Sequence, residues 1–160
     1  MTSEAARHAV EGWNLFGREL AMEACIFCKI IRKEAPSYTV YEDENSIAFL
    51  DIRPMNPGHT LIVSKKHYRW VWDITDVGKY FETVTMIART LQKTMRTDWI
   101  AADVAGMGVP HAHIHLVPRY PGDGHGEFVN GKNVKTIPTQ EMSRITETIR
   151  NSLMASGVRA

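Results

Sequence analysis

The sequence predicts an α+β fold in which helices cover one face of an antiparallel sheet. Two observations support this class. Stretches rich in β-branched and aromatic residues recur between residues 38 and 66 with turn signals between them, and two later stretches place apolar residues at the three-and-four spacing of amphipathic helices. With 160 residues, the chain has the length of one domain with its own core. We expect a five-stranded sheet, one long helix and one C-terminal helix.

The first three strands are predicted at residues 38–43, 46–52 and 60–66. The polar segment "EDEN" separates the first two as a hairpin, and Pro57-Gly58 fits the middle of a type II turn before the third. The stretches "WIAADVAG" (99–106) and "HAHIHLVPR" (111–119) predict the fourth and fifth strands.

The long helix is predicted over residues 76–95, where Thr75 or Asp76 is able to cap its start. For the last helix, Thr139 is the expected cap and Glu141 lies near the positive end of the helix dipole. The buried stripe of that helix is expected to contain Met142, Ile145, Ile149 and Leu153.

Composition places the chain among ordinary globular proteins, with 44% hydrophobic residues, 23% charged residues and a formal net charge of +1. This balance gives no reason to expect a nucleic-acid or membrane partner. No apolar run approaches the roughly 20 residues that span a bilayer, and the N-terminus lacks the apolar core of a secretory signal, so we expect a cytoplasmic protein. Residues 1–22 are interpreted as an N-terminal extension with at most one short helix.

The stretch "VPHAHIHLVPR" carries histidines at 111, 113 and 115. On a strand these three side chains share one face, while Ala112, Ile114 and Leu116 face the core. Same-face neighbours are roughly 6.6 to 6.8 Å apart, which is too far for all three to bind one metal ion without other ligands. A polar strand face that happens to be histidine-rich is the simpler alternative. Three imidazoles near the glycine-bearing approach "AGMGVP" instead favour a binding site.

The only two cysteines form a C-x-x-C pair, Cys25 and Cys28, which is typical of a redox dithiol or of half a tetrahedral zinc site. The histidines available to complete a zinc site are His59, His67 and one of the row. No βαβ pattern surrounds the pair, so structural zinc is favoured over redox chemistry.

"HAHIHL" matches the His-x-His-x-His-x motif of the histidine triad (HIT) family, and residues 25–68 resemble the bacterial type of that family almost throughout. The resemblance covers about residues 23–155 and leaves residues 156–160 as a C-terminal tail. It implies a HIT-like fold, a homodimer, a purine nucleotide substrate, a structural zinc ion and no organic cofactor.

The resemblance also implies roles for individual residues. His113 would attack the α-phosphorus to form a covalent nucleotidyl-histidine, with His115 and His59 donating hydrogen bonds to the phosphate. Asp51 would bind the ribose hydroxyls. The apolar slot for the base would be formed by Ile26, Phe27, Ile30, Phe49 and Val109, although each of these is as readily plain core. The zinc ligands would be Cys25, Cys28, His67 and His111.

One segment departs from the family pattern, because Met107 and Gly108 stand where many members have Gln and Ser or Thr. Two side-chain donors for phosphate or the leaving group are therefore missing.

The first hypothesis is a nucleotidyl hydrolase or transferase acting on a phosphoramidate, an adenylate or a dinucleoside polyphosphate. The second is a zinc-stabilised nucleotide-binding or scaffold protein with weak or vestigial catalysis. A third and weaker hypothesis treats the histidines as a catalytic metal centre.

Overall fold

The computed structural model describes residues 22–106 and 108–158, so the expectations for residues 1–21, for Met107 and for the last two residues of the C-terminal tail lie outside the described residues. Five strands form one antiparallel sheet in the order β1-β2-β3-β5-β4, which confirms the predicted class. The strands are β1 (Tyr38–Glu42), β2 (Ser46–Leu50), β3 (Thr60–Ser64), β4 (Ile100–Asp103) and β5 (His113–Pro118). The helices are α1 (Ile26–Ile31), the 3-10 helix Val71–Asp73, α2 (Val77–Met95) and α3 (Thr139–Ala155).

The sheet has an apolar cluster on each face. The long helices α2 and α3 pack on one face, over a core that includes Ile62, Ile114 and Leu116. The short helix α1 packs on the other face, where Phe27 and Ile30 contact a smaller cluster from β2 and β3. The expectation of helices on one face therefore holds for the two long helices, while α1 was not predicted.

The helix ends show one correct and one wrong prediction. The Asp76 side chain accepts a hydrogen bond from the backbone N–H of Lys79 and caps α2 as expected. Thr139 is the first helical residue of α3 and not its cap. The cap position is occupied by Pro138, whose backbone is extended and whose side chain has no hydrogen-bond acceptor. Glu141 does lie in the first turn of α3.

The fifth strand begins at His113, two residues later than predicted. The backbone N–H of Ala112 bonds to the carbonyl of Tyr68 instead of extending the sheet ladder, and that of His111 bonds to the carbonyl of Val109. His111 therefore precedes the strand, while Ala112, Ile114 and Leu116 face the main core as predicted. Among the described residues, no helix has the length and hydropathy to cross a membrane.

Candidate functional site

A cavity of about 770 Å³ lies on the α1 face of the sheet, within the size range of ligand sites. Eight of the nine residues predicted for catalysis or nucleotide binding line this cavity. They are Ile26, Phe27, Ile30, Phe49, Asp51, Val109, His113 and His115. The ninth, His59, does not line the cavity: it is only 1% exposed and lies behind His115.

Aromatic side chains form the apolar wall of this cavity. The Phe27 ring makes edge contacts with Phe49, at 5.6 Å between centroids, and with His113, at 5.1 Å. Both phenylalanines are also buried in the smaller apolar cluster, whereas Ile26 is 45% exposed at the rim. These residues therefore belong to the smaller apolar cluster and line the cavity at the same time, because this cluster forms one wall of the cavity.

Three of the histidines are joined by consecutive hydrogen bonds. His59 Nε2 lies 2.9 Å from His115 Nδ1, and His115 Nε2 lies 3.1 Å from His113 Nε2. At one end, the backbone N–H of Met55 donates to His59 Nδ1 at 3.2 Å. At the other end, His113 Nδ1 lies 2.6 Å from the carbonyl oxygen of His111, which only accepts.

The two ends of this histidine chain determine which ring nitrogens carry protons. Because Met55 donates into Nδ1, a neutral His59 carries its proton on Nε2 and donates it to His115. His115 then donates from Nε2 to His113 Nε2, and His113 donates from Nδ1 to the carbonyl of His111. The chain consequently leaves a lone pair on His113 Nε2 and an N–H of His115 directed at it.

Burial keeps these imidazoles neutral. Desolvation is the largest effect on each ring; it lowers the pKa of His59 to about 4 and also lowers the pKa of His113 and of His115. The Asp51 carboxylate acts in the opposite direction on all three rings but does not outweigh desolvation. Neutral rings near pH 7 suit a nucleophile, which needs a free lone pair.

Several cavity residues were not predicted from the sequence. Asp103 is the last residue of β4, pairs with His115 of β5 and lines the cavity. Met55 also lines the cavity, and its backbone amide fixes His59. Gly131 and Val134 line the cavity from the long loop after β5. A loop has no periodic pattern in its sequence from which this contact could be predicted.

The four predicted zinc ligands converge at the N-terminal end of α1. Cys25 Sγ lies 3.4 Å from His111 Nδ1, and Cys28 Sγ lies 3.2 Å from His67 Nδ1 and 3.5 Å from His111 Nδ1. Zinc bond lengths of about 2.3 Å to sulfur and 2.0 to 2.1 Å to nitrogen imply sulfur-to-nitrogen edges of about 3.6 Å in a tetrahedron. All four ligand atoms lie within 4.8 Å of one another, so this donor set fits one tetrahedral ion.

Protonation in this cluster also fits a metal. His111 Nε2 donates to the Ser64 carbonyl at 2.7 Å, which leaves the lone pair of Nδ1 directed at the sulfurs.

Burial and the neighbouring Cys25 raise the pKa of the Cys28 thiol to about 12. A redox dithiol needs an accessible thiol with a lowered pKa, whereas both cysteines here are buried, so the redox interpretation is disfavoured.

A second group of residues of metal-ligand types consists of Asp51 and His115, which line the cavity, and His59 behind them. Its hydrogen bonds do not suit a metal ion. Met55 donates to His59 Nδ1, so Nε2, the nitrogen beside His115, holds a proton instead of a free lone pair. The 2.9 Å separation of the two rings is that of a hydrogen bond. This geometry argues against the catalytic metal centre.

A five-stranded sheet with a hydrogen-bonded histidine chain beside a cavity is the arrangement expected of histidine triad proteins, and comparison with known proteins agrees. The HIT domain family model matches residues 32–122. An uncharacterized HIT-like protein of Methanocaldococcus jannaschii is 42% identical over 124 residues, which cover 74% of this chain and 95% of that protein. The chain therefore belongs to the HIT family.

Two further relatives bear on the site. The adenosine 5'-monophosphoramidase HNT1 of Saccharomyces cerevisiae is 41% identical over 101 residues, which cover 60% of this chain and 63% of that protein. The crystal structure of a zinc-bound histidine triad family protein from Mycobacterium smegmatis has a TM-score of 0.68 and 27% identity, and the match covers 85% of this chain and 97% of that one.

The lowered pKa of His59 predicts how stability depends on pH. In the unfolded chain this imidazole has the ordinary pKa of about 6.5, whereas in the folded chain the pKa is about 4. Between these values the unfolded state binds a proton that the folded state does not. The free energy of unfolding should therefore fall as the pH drops from about 6.5 to 4, by up to about 1.4 kcal/mol per pH unit from this residue.

Urea unfolding at several pH values checks this expectation. The parent protein should lose stability more steeply below pH 6.5 than the His59→Asn variant, which has no imidazole to protonate at this position. Equal slopes for the two proteins would contradict the assignment of a neutral, buried His59.

Proposed function

We propose that the protein is a nucleotidyl hydrolase or transferase that acts at the α-phosphate of a purine nucleotide conjugate through a covalent nucleotidyl-histidine at His113. The observation that carries the proposal is the unprotonated Nε2 of His113, which lies beside the cavity because the ring carries its proton on Nδ1 and donates it to the His111 carbonyl. The lone pair of this nitrogen accepts the N–H of His115, the same proton that the proposed reaction transfers to the leaving group. The name of the yeast relative, a monophosphoramidase, supports the same class of reaction.

The cavity offers a separate place for each part of a nucleotide. A purine ring fits the apolar slot formed by Phe27, Ile30 and Phe49, with Ile26 and Val109 at its edges. The Asp51 carboxylate, which already accepts a hydrogen bond from the backbone N–H of Arg53, is the acceptor for the ribose hydroxyls. The phosphate then lies over the histidine chain, with its α-phosphorus near His113.

The proposed reaction proceeds in two displacements. His113 Nε2 forms a bond to the α-phosphorus while the bond to the leaving group breaks, and the leaving group takes the proton from His115 Nε2. The His111 carbonyl stabilises the positive charge that develops on the His113 ring. Water then attacks the same phosphorus, the bond to His113 breaks, and a proton of the water returns to His115.

The leaving-group end of the cavity differs from that of many relatives. Gly108 lines the cavity where they carry Ser or Thr, and a Cβ at this position would meet no atom within 4 Å, so the end is open. Asp103 adds a carboxylate opposite His115. Negative charge here disfavours polyphosphate leaving groups, so among the candidate substrates we favour phosphoramidates, whose leaving groups are amines.

The same residues support a structural role for zinc. Cys25, Cys28, His67 and His111 supply four ligands, which leaves no open position for a catalytic water. A zinc ion bound to them would hold α1, and with it one wall of the base slot, against the segment before β5. We propose further that residues 23–155 form the functional HIT domain, between an N-terminal extension and a short tail, and act as a homodimer.

The first prediction concerns the covalent intermediate. Intact-protein mass spectrometry without acid, after brief mixing with adenosine 5'-phosphoramidate, should show a nucleotidyl adduct on the parent protein and on His115→Ala. His113→Ala should show none and should lose at least 100-fold in turnover, about 3 kcal/mol of transition-state stabilisation.

A second outcome would favour a different function. Monophosphate binding without adduct or turnover in the parent protein would indicate a nucleotide-binding or scaffold protein with vestigial catalysis, in agreement with the open position at Gly108. Equal turnover by His113→Ala and the parent protein would exclude the proposed nucleophile.

The second prediction concerns the metal. The parent protein, purified without chelators, should contain one zinc ion per chain by elemental analysis. Cys28→Ala should lose it and unfold at a lower temperature, because the metal contributes binding free energy to folding. Asp51→Asn is the matched control: it belongs to the other group of ligand types and should keep the zinc. Loss of zinc only in Asp51→Asn would reverse the assignment.

The third prediction concerns leaving-group selectivity. Asp103→Asn should raise kcat/KM for a dinucleoside polyphosphate relative to a phosphoramidate about fivefold, the effect of removing roughly 1 kcal/mol of charge repulsion at intermediate dielectric. The exposed Asp98, changed to Asn, provides the charge-matched control and should leave the ratio unchanged. An unchanged ratio in Asp103→Asn would remove this residue from the selectivity argument.

A further inference from the structure

The loop between β5 and α3, residues 119–138, has no regular secondary structure but is extensively hydrogen-bonded. The carboxylate of Asp123 accepts bonds from the Arg119 side chain, at 2.7 and 3.2 Å, and from the backbone N–H groups of Tyr120 and His125, at 3.2 and 3.0 Å. Arg119 is 1% exposed, so this ion pair is shielded from water. The β5–α3 loop is therefore a fixed surface for whatever packs against it.

The segment that packs against this loop is residues 54–56, which leads into the turn before His59. The loop makes a hydrogen bond to each of these three residues in succession. The bonds are from the Lys135 backbone N–H to the Pro54 carbonyl at 2.7 Å, from His125 Nε2 to the Met55 carbonyl at 3.1 Å, and from the Asn56 side chain to the Asp123 carboxylate at 2.9 Å.

The peptide unit between Pro54 and Met55 connects the bond from Lys135 to the histidine chain, and the bond from His125 fixes the next peptide unit, on the other side of Met55. A peptide unit is planar and trans, so its carbonyl and its N–H point in opposite directions. Lys135 donates to the carbonyl of this unit on one side, and the N–H donates to His59 Nδ1 on the other, at 3.2 Å. The hydrogen bond from Lys135 to the Pro54 carbonyl therefore orients and polarises the Met55 N–H, which donates to His59.

His59 has an alternative partner at the same nitrogen. Asp51 Oδ2 lies 3.8 Å from His59 Nδ1, and a proton on Nδ1 would be attracted to that carboxylate. Besides Asp51, the ionisable groups that act on His59 are His113, His115 and His125. Within residues 22–106 and 108–158, the group that opposes the alternative tautomer directly is the Met55 amide, which occupies the lone pair of Nδ1.

We propose that the β5–α3 loop is a positioning element for the histidine chain, with His125 as its principal side chain: by fixing residues 54–56 it holds His59 in the Nε2–H tautomer. The direction of every following bond depends on that tautomer, since His59 must donate if His115 is to donate in turn to His113. The inference goes beyond the proposed function, and only its kinetic consequence rests on that function.

His125 is the residue of the loop best suited to a test. It donates from Nε2 to the Met55 carbonyl and accepts from the Asn130 backbone N–H at Nδ1, 3.1 Å away. It is outside the cavity lining, and its side-chain bonds are separate from those that Arg119 makes to Asp123. His125→Phe removes the donor to Met55, and His125→Gln offers an amide donor in its place. Lys132→Ala changes an exposed residue of the same loop as a control.

The decisive measurement is the ring 15N chemical shifts of His59 in long-range 1H–15N spectra of the full chain at pH 7.5, assigned with His59→Gln. The parent protein and Lys132→Ala should show a lone pair on Nδ1 and a proton on Nε2. His125→Phe should shift the population toward Nδ1–H, and His125→Gln should restore the parent pattern. A proton on Nδ1 in the parent protein, or an unchanged tautomer in His125→Phe, would overturn the proposal.

Kinetics separate this proposal from the proposed function. On a phosphoramidate, His125→Phe should lower kcat on the order of tenfold while KM stays within about twofold, since proton transfer and not binding is affected. Absence of turnover in every variant would refute the proposed function but leave the tautomer result standing. A changed tautomer with unchanged kcat would show that the loop does not serve the reaction, and would overturn the positioning role.

Discussion

A neutral imidazole has one N–H and one lone pair, and this limit governs the arrangement of the site. Each histidine in the chain from His59 to His113 donates once and accepts once, so fixing one ring fixes the next. The two ends are backbone groups that cannot reverse their roles: the Met55 N–H only donates, and the His111 carbonyl only accepts. The unprotonated Nε2 of His113 is therefore a consequence of backbone geometry as much as of the histidine itself.

The three histidines of the row serve different parts of the molecule because the strand begins late. His111 lies before β5, where its backbone is turned away from the sheet ladder, and its ring enters the cysteine cluster. His113 and His115 lie on the strand and face the cavity. If the strand began at His111, all three rings would lie on the same face of the sheet. The observed start instead separates His111 and the cysteine cluster from the cavity.

The sequence predicts the repeating parts of the fold well and the irregular parts poorly. Period-two and helical spacing locate the strands and both long helices, and the resemblance to the HIT family locates eight of the residues that line the cavity. The start of β5 and the cap of α3 depend on single backbone bonds, which periodicity does not report. The same holds for His125 and Asp103, whose relation to the site depends on contacts between distant segments.

The position of α1 explains why the cysteine cluster and the apolar wall of the cavity adjoin. A helix of six residues, without a side-chain cap or an acidic residue in its first turn, has little stability of its own. Burial of the apolar side chains of Phe27 and Ile30 against β2 and β3 stabilises the packing of α1 on the sheet. Cys25 and Cys28 at its start supply a second attachment, to His67 and His111. Since Phe27 contacts both Phe49 and His113, any loosening of that attachment would move the apolar wall of the cavity and the His113 ring together.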